Sequence, residues 1–114
     1  MQRTPALLAI ALLGLTATAH GAGDPVAGKK KAQTCASCHG EQGNTSNSAY
    51  PKLAGQHASY LLHALKAYKS GKRENAVMAG LVENLSQQDL RDLAAYYASQ
   101  DGDLQTPPRT SAED

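Results

Sequence analysis

Cys35-Ala36-Ser37-Cys38-His39 is the stretch that decides the fold, since two thiols and an imidazole fall within five residues. Several chemistries use a C-x-x-C pair, and the surroundings separate them. A thioredoxin-type redox pair opens a helix after a strand, and no strand pattern precedes Cys35. A structural zinc site takes four protein ligands, usually from two such pairs. Here His57 and His63 would have to complete it. A disulfide closing so short a loop stabilises little and leaves His39 without a role.

The remaining reading uses all three side chains. C-x-x-C-H is the spacing for covalent haem attachment. Each thiol adds across one vinyl group, and two intervening residues let both reach neighbouring edges of the macrocycle. The next residue, His39, then brings its imidazole beneath the iron as the proximal ligand.

Upstream, Met1-Gln2-Arg3 is a short basic segment, followed by an apolar run over 6–15 and small residues to Gly23. This is the layout of a secretory signal peptide over 1–21, with cleavage after Ala19 or after Gly21. The run is shorter than the roughly 20 apolar residues that span a bilayer. The expected mature chain is therefore exported to the periplasm with no membrane span. Its domain covers 22–100, and a polar, proline-bearing flexible tail covers 101–114. His20 belongs to the cleavage region.

Within that domain there is no Trp or Phe, and the aromatics are Tyr50, Tyr60, Tyr68, Tyr96 and Tyr97. Leu and Tyr are a thin set from which to build a core, so a buried apolar cofactor would supply missing mass. Asp24-Pro25 reads as an N-cap with proline at the first helical position, starting a short helix that delivers Cys35. Residues 40–55 are rich in Gly, Asn and Ser and form a loop. Ala58, Leu61, Leu62, Leu65 and Tyr68 share one face of a second helix, with Lys66 and Lys69 opposite and Gly71 as the C-cap. Ser86 and Asp89 are a capping-box variant at the head of a third helix, with Leu85 and Leu90 placed as a hydrophobic staple. Leu90, Leu93, Ala94 and Tyr97 form its apolar face. No segment sustains strand alternation, so the domain reads as all-α.

Residues 72–84 read as a second irregular stretch, and it holds Met78, the only methionine beyond Met1. A lone methionine is commonly core filler. This one lies in a segment between two core helices, where its soft thioether can close over the open haem face and raise the reduction potential. His57 and His63 compete for that sixth position. His63 falls beside Leu62 at a surface or half-buried place.

The chain resembles class I c-type cytochromes, and within them the bacterial c-four and c-five-fifty-three type domains. The resemblance runs from Asp24 to Gln100. It rests on Cys35-Ala-Ser-Cys-His39-Gly40, Tyr50-Pro51-Lys52-Leu53-Ala54-Gly55-Gln56, the Tyr60-Leu61 helix, Ser70-Gly71-Lys72-Arg73 with Asn75 and Met78, and the closing Asp92-Leu93-Ala94-Ala95-Tyr96-Tyr97. It implies a small class I cytochrome c fold, three main helices around one haem c held covalently by Cys35 and Cys38. It implies that the Pro51 carbonyl accepts from the His39 ring, and that Leu53 packs on the haem edge. It further implies that the first and last helices cross closely at Gly28 and Tyr96 or Tyr97. The c-four cytochromes carry two such domains, whereas this sequence has one motif, so a single-haem protein or one subunit of something larger is expected.

Charge is split along the chain. Between Asp24 and Arg73 eight basic residues face two acids, and from Glu74 onward eight acids face two arginines. These halves are either solvated helix faces or a dipole that orients docking. Nucleic-acid binding does not suit this balance. With His39 and Met78 both on iron, the expected role is an electron carrier and not an enzyme. Its partners would be a membrane oxidase, reductase or dehydrogenase. A dedicated haem subunit of a dehydrogenase complex is the alternative. A peroxidase or gas-binding haem would need an open sixth site with a distal acid–base group, and only Arg73 is near in sequence.

Overall fold

The computed structural model describes Met1 and residues 22–104. The signal segment expected over 1–21 lies, Met1 apart, outside the described residues, as does the tail from 105 onward. The described chain is helical, in the order α1 (Pro25–Lys31), α2 (Gln33–His39), α3 (Ala58–Ser70), α4 (Ala76–Val82) and α5 (Gln87–Ala98).

The helix starts follow local chemistry. Asp24 caps α1 by accepting from the Val26 N–H, with Pro25 inside the first turn. Ser86 and Asp89 close a full capping box on α5, each side chain accepting from the other's backbone N–H. Gly71 ends α3 in the left-handed conformation (φ 77°), which costs glycine little.

Two details differ from the sequence reading. The first helix breaks at Ala32, so that α1 stops at Lys31 and a separate α2 carries the whole C-x-x-C-H motif. The stretch over 72–84 is also not wholly irregular. Asn75 accepts from the Met78 N–H and starts α4, which places Met78 in its first turn.

The core lies where α1 and α5 cross. Gly28 is buried there, and a Cβ on it would stand 2.0 Å from the Asp92 carbonyl oxygen and 2.7 Å from Tyr96 Cβ. The close approach expected at Gly28 is therefore present, with Tyr96 and the α5 backbone as its partners. Ala32, Leu61, Leu93, Ala94, Tyr96 and Tyr97 form one buried cluster. Cys35, Leu53, Leu62, Leu65, Leu85 and Ala98 pack against it while staying half-buried. Ala58, assigned to the apolar face of the second helix, is exposed in the first turn of α3.

Beside this core, Asp92 is buried and saturated with donors. It accepts from the Asp24 N–H (2.8 Å), the Lys31 ammonium (2.6 Å) and the Gln88 amide (2.8 Å). Lys31 also reaches Asp89 at 2.8 Å. Burial pushes the Asp92 carboxyl up, but Lys31, the Asp24 N–H and Gln88 together outweigh it and leave the carboxyl below its ordinary range. The α1–α5 crossing is thus tied by a charged bond network as well as by packing.

The chain expected to begin a flexible tail is anchored at its start. The Asn44 side-chain amide donates to the Asp101 carbonyl at 2.7 Å, and Lys52 pairs with Asp103. Residues 101–104 lie against the loop between α2 and α3. Among the described residues no helix is long and apolar enough to cross a membrane.

Candidate haem site

The site is built on α2. Positions 35, 38 and 39 are i, i+3 and i+4 of one helix, so the two thiols and the imidazole share a face. Cys35 and Cys38 are free thiols, each half-buried. Burial raises the Cys35 thiol above its ordinary range, against smaller opposing effects of Thr34 and the Tyr97 hydroxyl. His39 is 6 % exposed.

The loop that follows fixes the imidazole. His39 Nδ1 lies 2.9 Å from the Pro51 carbonyl oxygen. A carbonyl only accepts, so Nδ1 carries the proton and donates. Nε2 is then the ring nitrogen with a free lone pair, the donor a metal requires. The Tyr50 ring meets the imidazole edge-on, with centroids 6.4 Å apart.

Pro51 is held by a turn that closes on Gly43. The Gly43 carbonyl accepts from the Leu53 and Ala54 N–H groups at 2.8 and 3.2 Å, and Thr45 N–H returns to the His39 carbonyl at 2.9 Å. Gly43 has φ 80°, and a Cβ there would be 2.8 Å from the Tyr97 ring and 2.9 Å from Ala54 N. Both the backbone conformation and the space demand glycine. From α5, the Tyr96 hydroxyl donates to the Glu41 carbonyl at 2.9 Å, and the Gly55 N–H donates to the Tyr97 carbonyl at 3.1 Å. The loop is thereby fastened to the core, and the Pro51 oxygen with it.

The structure brings Cys35, Cys38, His39, Pro51 and Leu53 together on α2 and its loop, with Cys35 and Leu53 against the same core cluster. Met78 stands apart on α4, half-buried. His63 is exposed, in a shallow groove with Lys66, Lys69, Lys72 and Gln87. His57 is half-buried, in the N-cap position of α3. Among the described residues no three His, Cys, Asp or Glu side chains cluster as a zinc site would need.

A covalent haem fits these residues. Two thiols and a correctly oriented imidazole share one helix face, and the leucines beside them are only half-buried by protein. The Tyr97 hydroxyl is also buried with no hydrogen-bond partner, the Cys35 thiol being its polar neighbour. Burial first, then Cys35, holds that phenol far above the ordinary tyrosine range. Tyr97 fell on the apolar face read from sequence, but nothing in its spacing announced an orphaned hydroxyl beside the first thiol.

Helical architecture, C-x-x-C-H display and a tethered imidazole define a class I cytochrome c fold, and the chain belongs to the cytochrome c family, whose model matches residues 25–101. It carries haem c attached through Cys35 and Cys38. Among its relatives, cytochrome c4 of Pseudomonas aeruginosa is 54% identical over 88 residues, covering 77% of this chain and 44% of that protein. Cytochrome c-554(548) of Halomonas halodenitrificans is 45% identical over 83 residues, covering 70% of this chain and 100% of that one. The crystal structure of reduced recombinant cytochrome c4 from Pseudomonas stutzeri superposes with a TM-score of 0.69 at 42% identity, over 73% of this chain and 48% of that one. The chain thus spans about half the length of the cytochrome c4 proteins it matches.

Proposed function

We propose that this protein is a periplasmic electron carrier in which His39 Nε2 and the Met78 thioether would hold the haem iron. Haem c supplies a one-electron Fe(III)/Fe(II) couple. The observation that carries the reading is the His39–Pro51 bond beside the two thiols: it fixes the tautomer and aims Nε2 while raising its basicity as a donor. Leu53, packed on the same wall as Cys35, lines the haem edge and excludes water. Met78 gives iron a soft sixth ligand that favours the ferrous state. With both axial positions filled by side chains, the site exchanges electrons and binds no substrate, and redox proteins are its partners. The basic side chains around α3 orient those partners, an effect on encounter rate that salt screens.

The test is optical. The exported ferric protein should show the near-red sulfur-to-iron charge-transfer band, and Met78→Ala should abolish it. Absence of the band in the wild type, with rapid carbon monoxide binding to the reduced form, would instead indicate an open sixth site. Co-purification with a dehydrogenase at high salt would replace the diffusible carrier with a permanent haem subunit.

A further inference from the structure

The helix that carries Met78 has little to hold it. It is seven residues long, below the length at which a helix sustains itself in water. Only Val82 on it is buried, Val77 and Leu81 are exposed, and Gly80 has nothing within 4 Å of where a Cβ would stand. Its start is fixed by Asn75, whose side chain accepts from the Met78 N–H at 3.0 Å. Its end is met by a side chain from another helix. The Lys69 ammonium, near the C-terminus of α3, donates to the Glu83 carbonyl at 2.7 Å, to the Leu85 carbonyl, and at the longer distance of 3.5 Å to the Val82 carbonyl. An ammonium has three protons, and its acceptors are the last carbonyl of α4, the C-cap carbonyl and one in the turn that follows, while the Val82 carbonyl also accepts from the Leu85 N–H at 3.1 Å. A positive charge there also complements the helix dipole.

We infer that Lys69 is a positioning residue for Met78: by pinning the carbonyl end of α4 to α3, it holds the thioether at the iron. The inference rests on the proposal that Met78 is the sixth ligand. Lys69 acts through the backbone at the end of α4, by bonds to carbonyls and not to the thioether. Arginine can replace it as a donor to those carbonyls, whereas leucine keeps most of the stem and loses every donor.

The experiment titrates the exported ferric protein with imidazole, which competes with Met78 for iron, and follows loss of the near-red band. Lys69→Leu should bind imidazole about tenfold more tightly than the wild type, and Lys69→Arg should stay within about threefold, the scale of charge-assisted hydrogen bonds to exposed carbonyls. Lys66→Leu, three residues earlier on α3, removes a charge without a clamp and should stay within about twofold. A merely structural role would lower the thermal midpoint of Lys69→Leu and leave its imidazole affinity at 25 °C unchanged, and that result overturns the inference. An equal rise for Lys66→Leu also overturns it, since net charge would then be the cause. If the wild type lacks the band, the Met78 assignment fails and the inference falls with it. A normal wild-type band with an unmoved Lys69→Leu removes the inference alone.

Discussion

The crossing of α1 and α5 and the half of the molecule built from α3, α4 and the loop after α2 are held together by different means. At the crossing, protein packs on protein. Leu90, Leu93, Ala94, Tyr96 and Tyr97 are all buried on α5, Gly28 lets the two backbones touch, and Asp92 is saturated with donors. In the other half, α3 buries only Leu61 and α4 only Val82. Leu53, Leu62, Leu65, Leu85 and Met78 are left half-covered. Close packing is what makes interiors stable, and on the proposed ligation this second half would be completed by the cofactor. The first half is a scaffold, and the second would be the wall that meets the proposed haem.

Removing the attachment chemistry tests that contrast most severely. A Cys35→Ala/Cys38→Ala double variant, unable to hold haem covalently, should lose cooperative thermal melting followed by far-UV circular dichroism. A small domain without its full core has little stability to spare. Near-native helicity with a sharp transition would show that the α3–α4 half stands without the cofactor.

Gly28→Ala attacks the scaffold itself. The new methyl would meet the Asp92 carbonyl carbon and oxygen and the Tyr96 Cβ, which are backbone or nearly so and cannot swing away. Overpacking of this kind costs about 3 kcal/mol, read as a lower denaturant midpoint with the haem still attached. If the crossing tolerated alanine with no loss, the close approach would not be what fastens the two ends of the domain.

The acid side chains at the crossing give a smaller, pH-dependent effect. The Lys31 bond, and next the Ser86 N–H and hydroxyl, bring the Asp89 carboxyl down to about 2 from an ordinary 3.8. A folded-state value below the unfolded one stabilises the fold above the unfolded value. That contribution is whole above about pH 4 and fades as pH falls towards 2. Asp89→Asn should therefore cost on the order of 1 kcal/mol at neutral pH and flatten the acid limb of the stability curve between those limits. An unchanged acid limb would place the acid sensitivity elsewhere, with Asp92 next to be tested.

How much of this could be read beforehand follows from how local each signal is. The Asp24-Pro25 start, the Ser86-Asp89 box and the Gly71 stop were legible because a cap is made by residues within one turn of it. The C-x-x-C-H motif was legible because its chemistry is contained in five residues. Helix α4 was missed because its one clear signal, Asn75 at the N-cap, is followed by a short run with glycine inside and apolar residues facing outward. Helical periodicity needs a buried face to be seen, and α4 buries only Val82. The break at Ala32 has no glycine or proline to mark it. Lys69 falls opposite the apolar face of its helix, a position that in sequence reads equally as solvated or as part of a docking dipole. Its true acceptors are backbone carbonyls 13 to 16 residues away, and carbonyls leave no trace in side-chain patterns.

The smallest effect concerns the seam between the two halves, where residues 101–104 lie on the loop that presents Pro51. Two kinds of contact hold them, and they differ in worth. Lys52 and Asp103 are 38% and 76% exposed along their side chains, so their ion pair is screened and pays side-chain entropy. Asp103→Asn should change stability little, and the change should vanish in about 1 M salt. The Asn44 amide, by contrast, donates to the Asp101 backbone carbonyl at 2.7 Å, a bond that salt does not weaken. Asn44→Ala should therefore cost about 1 kcal/mol and remain destabilising at high salt, where the effect of Asp103→Asn has gone. If the two variants respond to salt alike, the segment is held to the loop by charge alone, and the Pro51 carbonyl owes its position to Gly43 and α5 without help from the chain end.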